Sequence, residues 1–414
     1  MAEAPAWVQS LVYRVASGLF HQPLLLRAVA RLVRGSARLS SATGIVASAR
    51  GVREVLARET NFSHGHLPAV MLDGSFLIGM PSGPEHVQKR TCLHGLLPRP
   101  EDVARATRLA LAAIRTEVEC KLKRQGHFDL IEDYMAPLVW LAIRFAYDPG
   151  NARLQVPMNR ELLQAARWLG AQLMIGSVAP PDERQRALRS AAVLGAAFGS
   201  GRVPLDSRWA AQVPRLTERM RDAIGVMWVG HPATTQGGAL LMQELLARPT
   251  EYRRLREEMA AAGSRGDAAC TVVRDRLRDH VLELLRFRPP FPILGRLVPT
   301  AAAFKVNGKD AASSTAHAKP GSVAAMAIGA LFDPEAQRED PAQYLPGRHF
   351  HDPEDRLLMF GAGPRNCIAR DQVIEILVTA LAGLLQLGSP GRPLKAHGRR
   401  VYEGPVIVEM KLGF

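Results

Sequence analysis

The sequence predicts a mainly α chain with a small β region, and three patterns carry that prediction. Apolar residues recur at helical spacing from Glu101 to Gln125 and from Val156 to Gly199, where Ala, Leu, Arg and Glu predominate. A longer helical pattern runs from Thr217 to Ala247 before Pro249 stops it. Strand-like pieces are short: ILGRLV, AFKVNG and GSVAAMAI between Ile293 and Ile328, then the hairpin-like tail RRVYEGPVIVEMKLGF.

Taken in chain order, Trp7 to Val33 mixes apolar faces with Arg14, Arg27 and Arg31 at helical spacing. Within residues 1–40 this reads as an amphipathic helix packed on the body, with peripheral contact to a membrane surface as the alternative. Val203 to Pro214, interrupted by Pro204 and Pro214, reads as a connection. The Thr217–Ala247 pattern, about thirty residues at helical rise, spans about 45 Å. Pro232 and the pair Gly237, Gly238 lie inside it, so a kink or an opening is expected there. Thr271 to Phe287 reads as a helix ending before Pro289 and Pro290, Phe332 to Met359 as loop. After Cys367, IARDQVIEILVTALAGLLQL reads as a helix with Gly388 at its end. With no internal repeat and no clear linker, one domain over 1–414 is expected, its functional portion concentrated in 217–414.

Of the 414 residues 47% are hydrophobic and 22% charged, a composition that supports a packed body rather than a disordered chain. Lys and Arg number 53 against 39 Asp and Glu, a net charge of +14. The arginines are dispersed along helical stretches with no long basic block or zinc-finger spacing, which argues against nucleic acid and leaves a membrane surface or an acidic protein. Cys92, Cys120, Cys270 and Cys367 form no CxxC or Cys/His pattern, so neither a disulfide framework nor structural zinc is expected. With no signal-peptide pattern and no uncharged apolar run long enough to span a bilayer, the expectation is a cytoplasmic monomer.

Chemistry concentrates in Phe360-Gly361-Ala362-Gly363-Pro364-Arg365-Asn366-Cys367. Two glycines and a proline make a tight loop that lets backbone approach a bulky group. Cys367 is expected at the N-terminus of the following helix, where the dipole and free N–H groups favour a thiolate able to ligate iron. Arg365 is placed to neutralise a carboxylate. Read from the residues alone, the alternative is a buried free cysteine beside a phosphate-type glycine loop.

The loop closely resembles the haem-binding loop of cytochromes P450, with Phe360, Gly363, Arg365 and Cys367 at the positions of that pattern. Ala369 departs from it, standing where the family usually has glycine. The resemblance implies haem b held by Cys367 as iron ligand, with Phe360, Gly361 and Gly363 shaping the loop around it. Other landmarks follow in order. Glu283 and Arg286 match the family's Glu-x-x-Arg, implying a buried network with Arg348 of Tyr344-Leu345-Pro346-Gly347-Arg348. His86 and Arg90, four apart on one helix face, resemble the pair that reaches the haem propionates, and Arg296 fits a further contact. The resemblance covers roughly Phe62 to the C-terminus and implies one triangular, mostly helical domain. It also implies activation of dioxygen with two electrons from a ferredoxin or flavodoxin-type partner, docked on a basic face framed by Lys89, Arg90, Arg356 and Arg370. The alternative is a basic face that is merely solvated.

One part of the pattern is broken. The family places an acid before a threonine in the long helix, whereas Gly230-His231-Pro232-Ala233-Thr234-Thr235 supplies no carboxylate whether Thr234 or Thr235 is the usual threonine. His231 is either a substitute proton carrier or a packing histidine. A peroxide-dependent peroxygenase or isomerase is therefore the alternative to a monooxygenase, and a non-catalytic haem-binding or recruiting module the second alternative. Trp228, Gly230, Ala233, Ile293 and Leu294 are the expected pocket, whose apolar character favours a lipophilic small-molecule substrate.

Overall fold

A computed structural model describes residues 14–15, 17–19, 21–33, 36–38, 43–58, 61–62, 77, 80, 82–147, 160–175, 181–199, 211–213, 215–223, 225, 230–263, 267–306, 315–387, 392–403 and 405–414. Helix predominates among them. The strands, in order, are β1 (Ser36–Arg38), β2 (Thr43–Val46), β3 (His127–Asp129), β4 (Leu294–Val298), β5 (Ala302–Lys305), β6 (Thr315–Ala318), β7 (Gly321–Ala325), β8 (Lys395–Ala396), β9 (Val401–Glu403), β10 (Val406–Glu409) and β11 (Lys411–Gly413). The chain divides into two compact units: Met1–Gly95, Leu173–Pro180 and Arg286–Ile368 form the first, and Leu96–Gln172, Pro181–Leu285 and Ala369–Phe414 the second.

The first unit contains two sheets, and the strand-like pieces expected between 293 and 328 supply β4, β5 and β7. A four-stranded sheet has the order β1-β2-β7-β4, with β2 and β7 parallel and the other pairs antiparallel, and β5 pairs antiparallel with β6. The helix Ala49–Ala57 starts where the Ser48 hydroxyl accepts from Gly51 N and the Asp333 carboxylate accepts from Ala49 N at 2.8 Å. Its buried face, Val52, Val55 and Leu56, joins Phe62, Phe304 and Val323 in one apolar core, with the Phe62 and Phe304 rings edge to face at 5.7 Å.

In the second unit, the helix Pro100–Gln125 begins with proline and two acids in its first turn and ends with Lys123 and Arg124 before Gly126, a left-handed cap with φ 75°. A π-helical turn, Leu130–Met135, leads directly into Ala136–Tyr147; the Asp129 carboxylate caps it by accepting from Ile131 N and Glu132 N. The helix Arg370–Gln386 packs close to this turn. Tyr134 donates its hydroxyl to the Ala380 carbonyl at 2.8 Å, and a Cβ on Gly383 would stand 2.4 Å from that hydroxyl. The tail forms the expected hairpin of β9 and β10, and β11 continues into a three-stranded sheet of order β3-β11-β8.

Several boundaries differ from the sequence reading. The expected Thr217–Ala247 helix is described as Leu216–Ala223 and Gly230–Leu246, with 226–229 outside the described residues. Pro232 is the third residue of the described part of this helix. Gly237 and Gly238 do not interrupt it. Gly238 instead admits Met135, whose Sδ would lie 2.6 Å from a Cβ there. The helix expected from Thr271 begins earlier, at Asp267. The Cys367-proximal helix begins at Arg370 and ends at Gln386 with Leu387 as cap; Gly388, the expected end, lies outside the described residues, as do Trp7 and 203–210. Strands β1, β2, β3, β6 and β8, each four residues or fewer, were not foreseen.

Candidate functional site

The predicted cofactor residues His86, Arg90, Arg296, Phe360, Gly361, Gly363, Arg365 and Cys367 all fall in the first unit. The cysteine loop opens with a 3-10 helix, Pro353–Phe360, followed by Gly361 at φ 83° and Gly363 at φ 64°. Both conformations favour glycine. Gly363 is required for a second reason: a Cβ there would lie 2.7 Å from Ala57 Cα, so the loop presses directly on the Ala49–Ala57 helix. Cys367 N donates to the Phe360 carbonyl at 2.7 Å and Asn366 N to that of Gly363 at 3.1 Å, closing the loop on itself. Cys367 is partly exposed, with its sulfur in no disulfide. It stands two residues before the helix cap Ala369 rather than in the first turn, a correction to the expected position. At Ala369 φ is −107°, a conformation open to any L-residue, which accounts for the absence of the family's glycine.

The cations around the loop are anchored. Arg90 donates to the Asn366 side-chain oxygen, tying the Pro84–Leu96 helix to the cysteine loop. Arg365 donates to the carbonyls of Leu77 at 2.8 Å and Met80 at 2.5 Å, so it braces an upstream segment. Arg296, on β4 opposite Val323 of β7, is 5% exposed and donates to the Gly295 carbonyl. His86, on the same helix face as Arg90, is 1% exposed. Asn366 was missed in the sequence because an asparagine inside a loop motif carries no spacing signal of its own.

The expected Glu283, Arg286 and Arg348 set is buried throughout. Arg286 donates to the carbonyls of Leu331, Pro341 and Gln343, and its guanidinium lies 4.2 Å from the centre of the Phe332 ring. Arg348 reaches the same Gln343 carbonyl and that of Glu339.

In the second unit, Gly230, His231, Ala233, Thr234 and Thr235 share the Gly230–Leu246 helix. Thr234 donates its hydroxyl to the Gly230 carbonyl at 2.8 Å. Both residues line a small cavity of about 40 Å³ together with Tyr147 and Gln372, which sequence reasoning did not single out. Thr235 is buried, and its hydroxyl oxygen has no hydrogen-bond partner among the described residues. His231 is 3% exposed, and its Nε2 lies 3.0 Å from the Ala136 carbonyl. Burial lowers its pKa to about 4, with the Ala136 hydrogen bond opposing and Arg167 adding to the shift. That geometry supports the packing role over the proton carrier. Of the expected pocket, Ile293 and Leu294 are half-buried in the first unit, Leu294 against its apolar core, and Trp228 lies outside the described residues. Among the described residues no group of three or more His, Cys, Asp or Glu is placed to hold a metal ion, and no helix is long and apolar enough to cross a membrane.

No protein-family model matches the chain. Over 169 residues it is 29% identical to cytochrome P450 4A6 of Oryctolagus cuniculus, covering 38% of the chain and 30% of the relative. Over 210 residues it is 28% identical to cytochrome P450 3A12 of Canis lupus familiaris, covering 47% and 40%. The chain therefore matches less than half the length of these curated relatives. Solved structures match over nearly their whole length. The cytochrome P450 CYP109B1 of Bacillus subtilis, 18% identical, covers 95% of this chain and 99% of its own with a TM-score of 0.68. P450BioI, solved with an acyl carrier protein bearing hexadec-9Z-enoic acid, is 17% identical over 97% and 100% with a TM-score of 0.72. CYP109E1 of Bacillus megaterium, solved with testosterone, gives 18%, 96%, 99% and 0.68. At these identities the structural likeness is one of fold.

Proposed function

We propose that the chain, which has the fold of solved cytochromes P450 and resembles curated ones over part of its sequence, is a haem-thiolate monooxygenase. It inserts one oxygen atom into a lipophilic small molecule, using electrons from a ferredoxin or flavodoxin-type partner. The observation that carries this reading is the closed loop Phe360–Cys367, which presents a single sulfur ligand beside a set of anchored cations.

The residues fit haem b. The donor chemistry is one thiol, with no competing metal cluster among the described residues, and four cationic side chains for two carboxylates. When bound, the haem would supply the oxidising iron, made electron-rich by the thiolate. Cys367 would hold the iron, and His86, Arg90, Arg296 and Arg365 would orient the propionates. Arg365 also holds the carbonyls of Leu77 and Met80, and Gly363 lets the loop seat against Ala57. Thr234 and Thr235 are the hydroxyls assigned to hold and pass a proton, and Trp228, Gly230, Ala233, Ile293 and Leu294 are the residues assigned to substrate. The enzyme acts in the cytoplasm as a monomer, with residues 1–40 making at most peripheral membrane contact.

The reduced carbon monoxide difference spectrum tests this. The wild type is expected to show the long-wavelength Soret band that gives the superfamily its name, and Cys367→Ser to lose it. A chain that binds haem without that band in any state overturns the reading.

Peroxide-driven chemistry has one observation in its favour: no carboxylate stands at Ala233 or Thr234, and His231 is engaged in packing. Product formed with hydrogen peroxide alone, and none with reductase and ferredoxin, selects it. Haem binding without turnover under either regime selects the non-catalytic module.

A further inference from the structure

The Pro23–Val33 helix is apolar on two sides. Its inner side is seated in the first unit: Leu26 and Ala30 are buried, and a Cβ on Gly329 would stand 2.8 Å from the Ala30 Cβ. The Arg27 guanidinium lies 5.3 and 4.5 Å from the ring centres of Phe287 and Phe332. At about 100° per residue, the opposite arc carries Arg31, Leu24, Ala28, Leu32 and Leu25 in that angular order. All five are exposed, Leu24 at 72% and Leu32 at 83%. Of the twelve large apolar side chains exposed among the described residues, four (Val15, Leu24, Leu25 and Leu32) fall in this short stretch. The exposure is therefore concentrated, unlike the single apolar residues that any surface carries.

The charge on this part of the chain has one sign. The fifty residues from Ala4 to Arg53 include seven arginines and no Asp or Glu, although the whole chain carries 39 acids in 414 residues. Two of the seven are spent: Arg27 is stacked on its rings, and Arg53 pairs with Asp352 and Asp355. Arg14, Arg31 and Arg50 are exposed and have no acidic partner among the described residues. The Asp333 carboxylate, next to Phe332 on the inner side, is buried and accepts from the N–H groups of Ala49 and Glu335. Guanidinium groups stay charged throughout the physiological pH range, so this positive character needs no proton uptake.

We infer that the Leu24, Leu25, Ala28 and Leu32 stripe, edged by Arg31, docks on an anionic lipid surface. The leucines enter the boundary between headgroups and acyl chains, while the arginine at the edge of the stripe reaches the phosphates. A carboxylate-rich protein surface would answer the arginines and leave the leucines in water, whereas an anionic bilayer answers both. Two copies of this chain joined through the stripe would set like charges against each other, which argues against a dimer. No residue of the cysteine loop takes part, so the docking holds whatever that loop binds.

The test is co-sedimentation of the purified full chain with vesicles of phosphatidylcholine, alone or with about one third phosphatidylglycerol. The wild type is expected to partition onto the anionic vesicles about tenfold more strongly than onto the neutral ones, and to come off as salt is raised. The double change Leu24→Gln, Leu32→Gln lowers partitioning onto anionic vesicles by about tenfold or more. Arg14→Gln, Arg31→Gln lowers it by about fivefold to tenfold and removes most of the preference for anionic lipid. Leu109→Gln, an exposed leucine on the separate Pro100–Gln125 helix, changes neither, and circular dichroism verifies that each variant is folded. A wild type that stays off anionic vesicles overturns the proposal, as does partitioning that survives the leucine change. An oligomer that the leucine change dissolves assigns the stripe to a second copy, and tighter binding to a polyglutamate peptide than to the vesicles assigns it to an acidic protein; either result overturns the proposal too.

Discussion

Arg286 and Arg348 donate to one acceptor, the Gln343 carbonyl, from opposite sides of a long stretch of sequence. Both are buried, and Arg286 also holds the carbonyls of Leu331 and Pro341. These bonds fix the loop that precedes the cysteine segment to the end of the Asp267–Phe287 helix. Arg286→Lys is expected to destabilise the protein by about 2–4 kcal/mol, since one ammonium cannot span three carbonyls and the lost bonds leave buried acceptors unpaired. Arg286→Lys and Arg348→Lys together are expected to cost less than their separate sum, with coupling of about 1–2 kcal/mol. Denaturant unfolding of the four proteins measures it; strict additivity would show that the shared carbonyl is not a joint anchor.

Gly170 makes a second, simpler prediction. A Cβ at that position would lie 2.1 Å from Pro232 Cγ, so Gly170→Ala is expected to cost about 1–3 kcal/mol despite improved helix propensity. Gly195, also helical, has nothing within 4 Å of its would-be Cβ, and Gly195→Ala is expected to stabilise by about 0.5–1 kcal/mol. Thermal midpoints of the two variants should move in opposite directions.

His231 links stability to pH. The folded protein lowers its pKa to about 4, whereas the unfolded chain takes up the proton at the ordinary 6.5. Between those values the unfolded state binds more protons. The contribution is therefore full above about pH 6.5 and is lost as pH falls toward 4, by ~3 kcal/mol in the limit. His280, lowered to about 4 chiefly by burial, adds a term of the same sign, while Asp129 and Asp355, raised by burial, oppose it. Unfolding free energies over this range, compared between wild type and His231→Gln, isolate the residue: the variant's slope is expected to be shallower. An unchanged slope would place His231 in contact with water.

Thr235 separates stability from use. Its buried hydroxyl has no partner among the described residues, so Thr235→Val is expected to leave stability unchanged or raise it by about 1 kcal/mol. If the hydroxyl passes a proton in turnover, the same variant forms less product per electron consumed. Equal coupling in Thr235→Val and in Thr234→Ala would remove both hydroxyls from the reaction.

Much of the site was legible because its chemistry is local in sequence. Phe360 to Cys367 is contiguous, and the glycines that close it announce themselves by residue type. The spacing of His86 with Arg90, and of Glu283 with Arg286, puts each pair on one helix face, and the resemblance to the family's motifs gives them their expected roles. The β elements were less legible, because β3, β8 and β11 gain their order only from each other, and strands of two or three residues leave no periodicity to detect. The contacts of Pro232 and Gly238 in the Gly230–Leu246 helix were illegible for a related reason. Their cost depends on what lies opposite, and Gly170 and Met135 are sixty or more positions away.

The sequence by itself determined the helical class and the glycine loop that carries Cys367, and through its resemblance to a family it ordered the cationic landmarks and exposed the missing carboxylate, since each is read from residue identity and short spacings. Only the tertiary structure decided that Arg286 and Arg348 meet at Gln343, that Arg365 braces Leu77 and Met80, that His231 is spent on the Ala136 carbonyl, and that His127 stacks on His397. Those facts depend on burial and on which distant backbone groups lack partners, quantities set by packing and carried by no single stretch of chain.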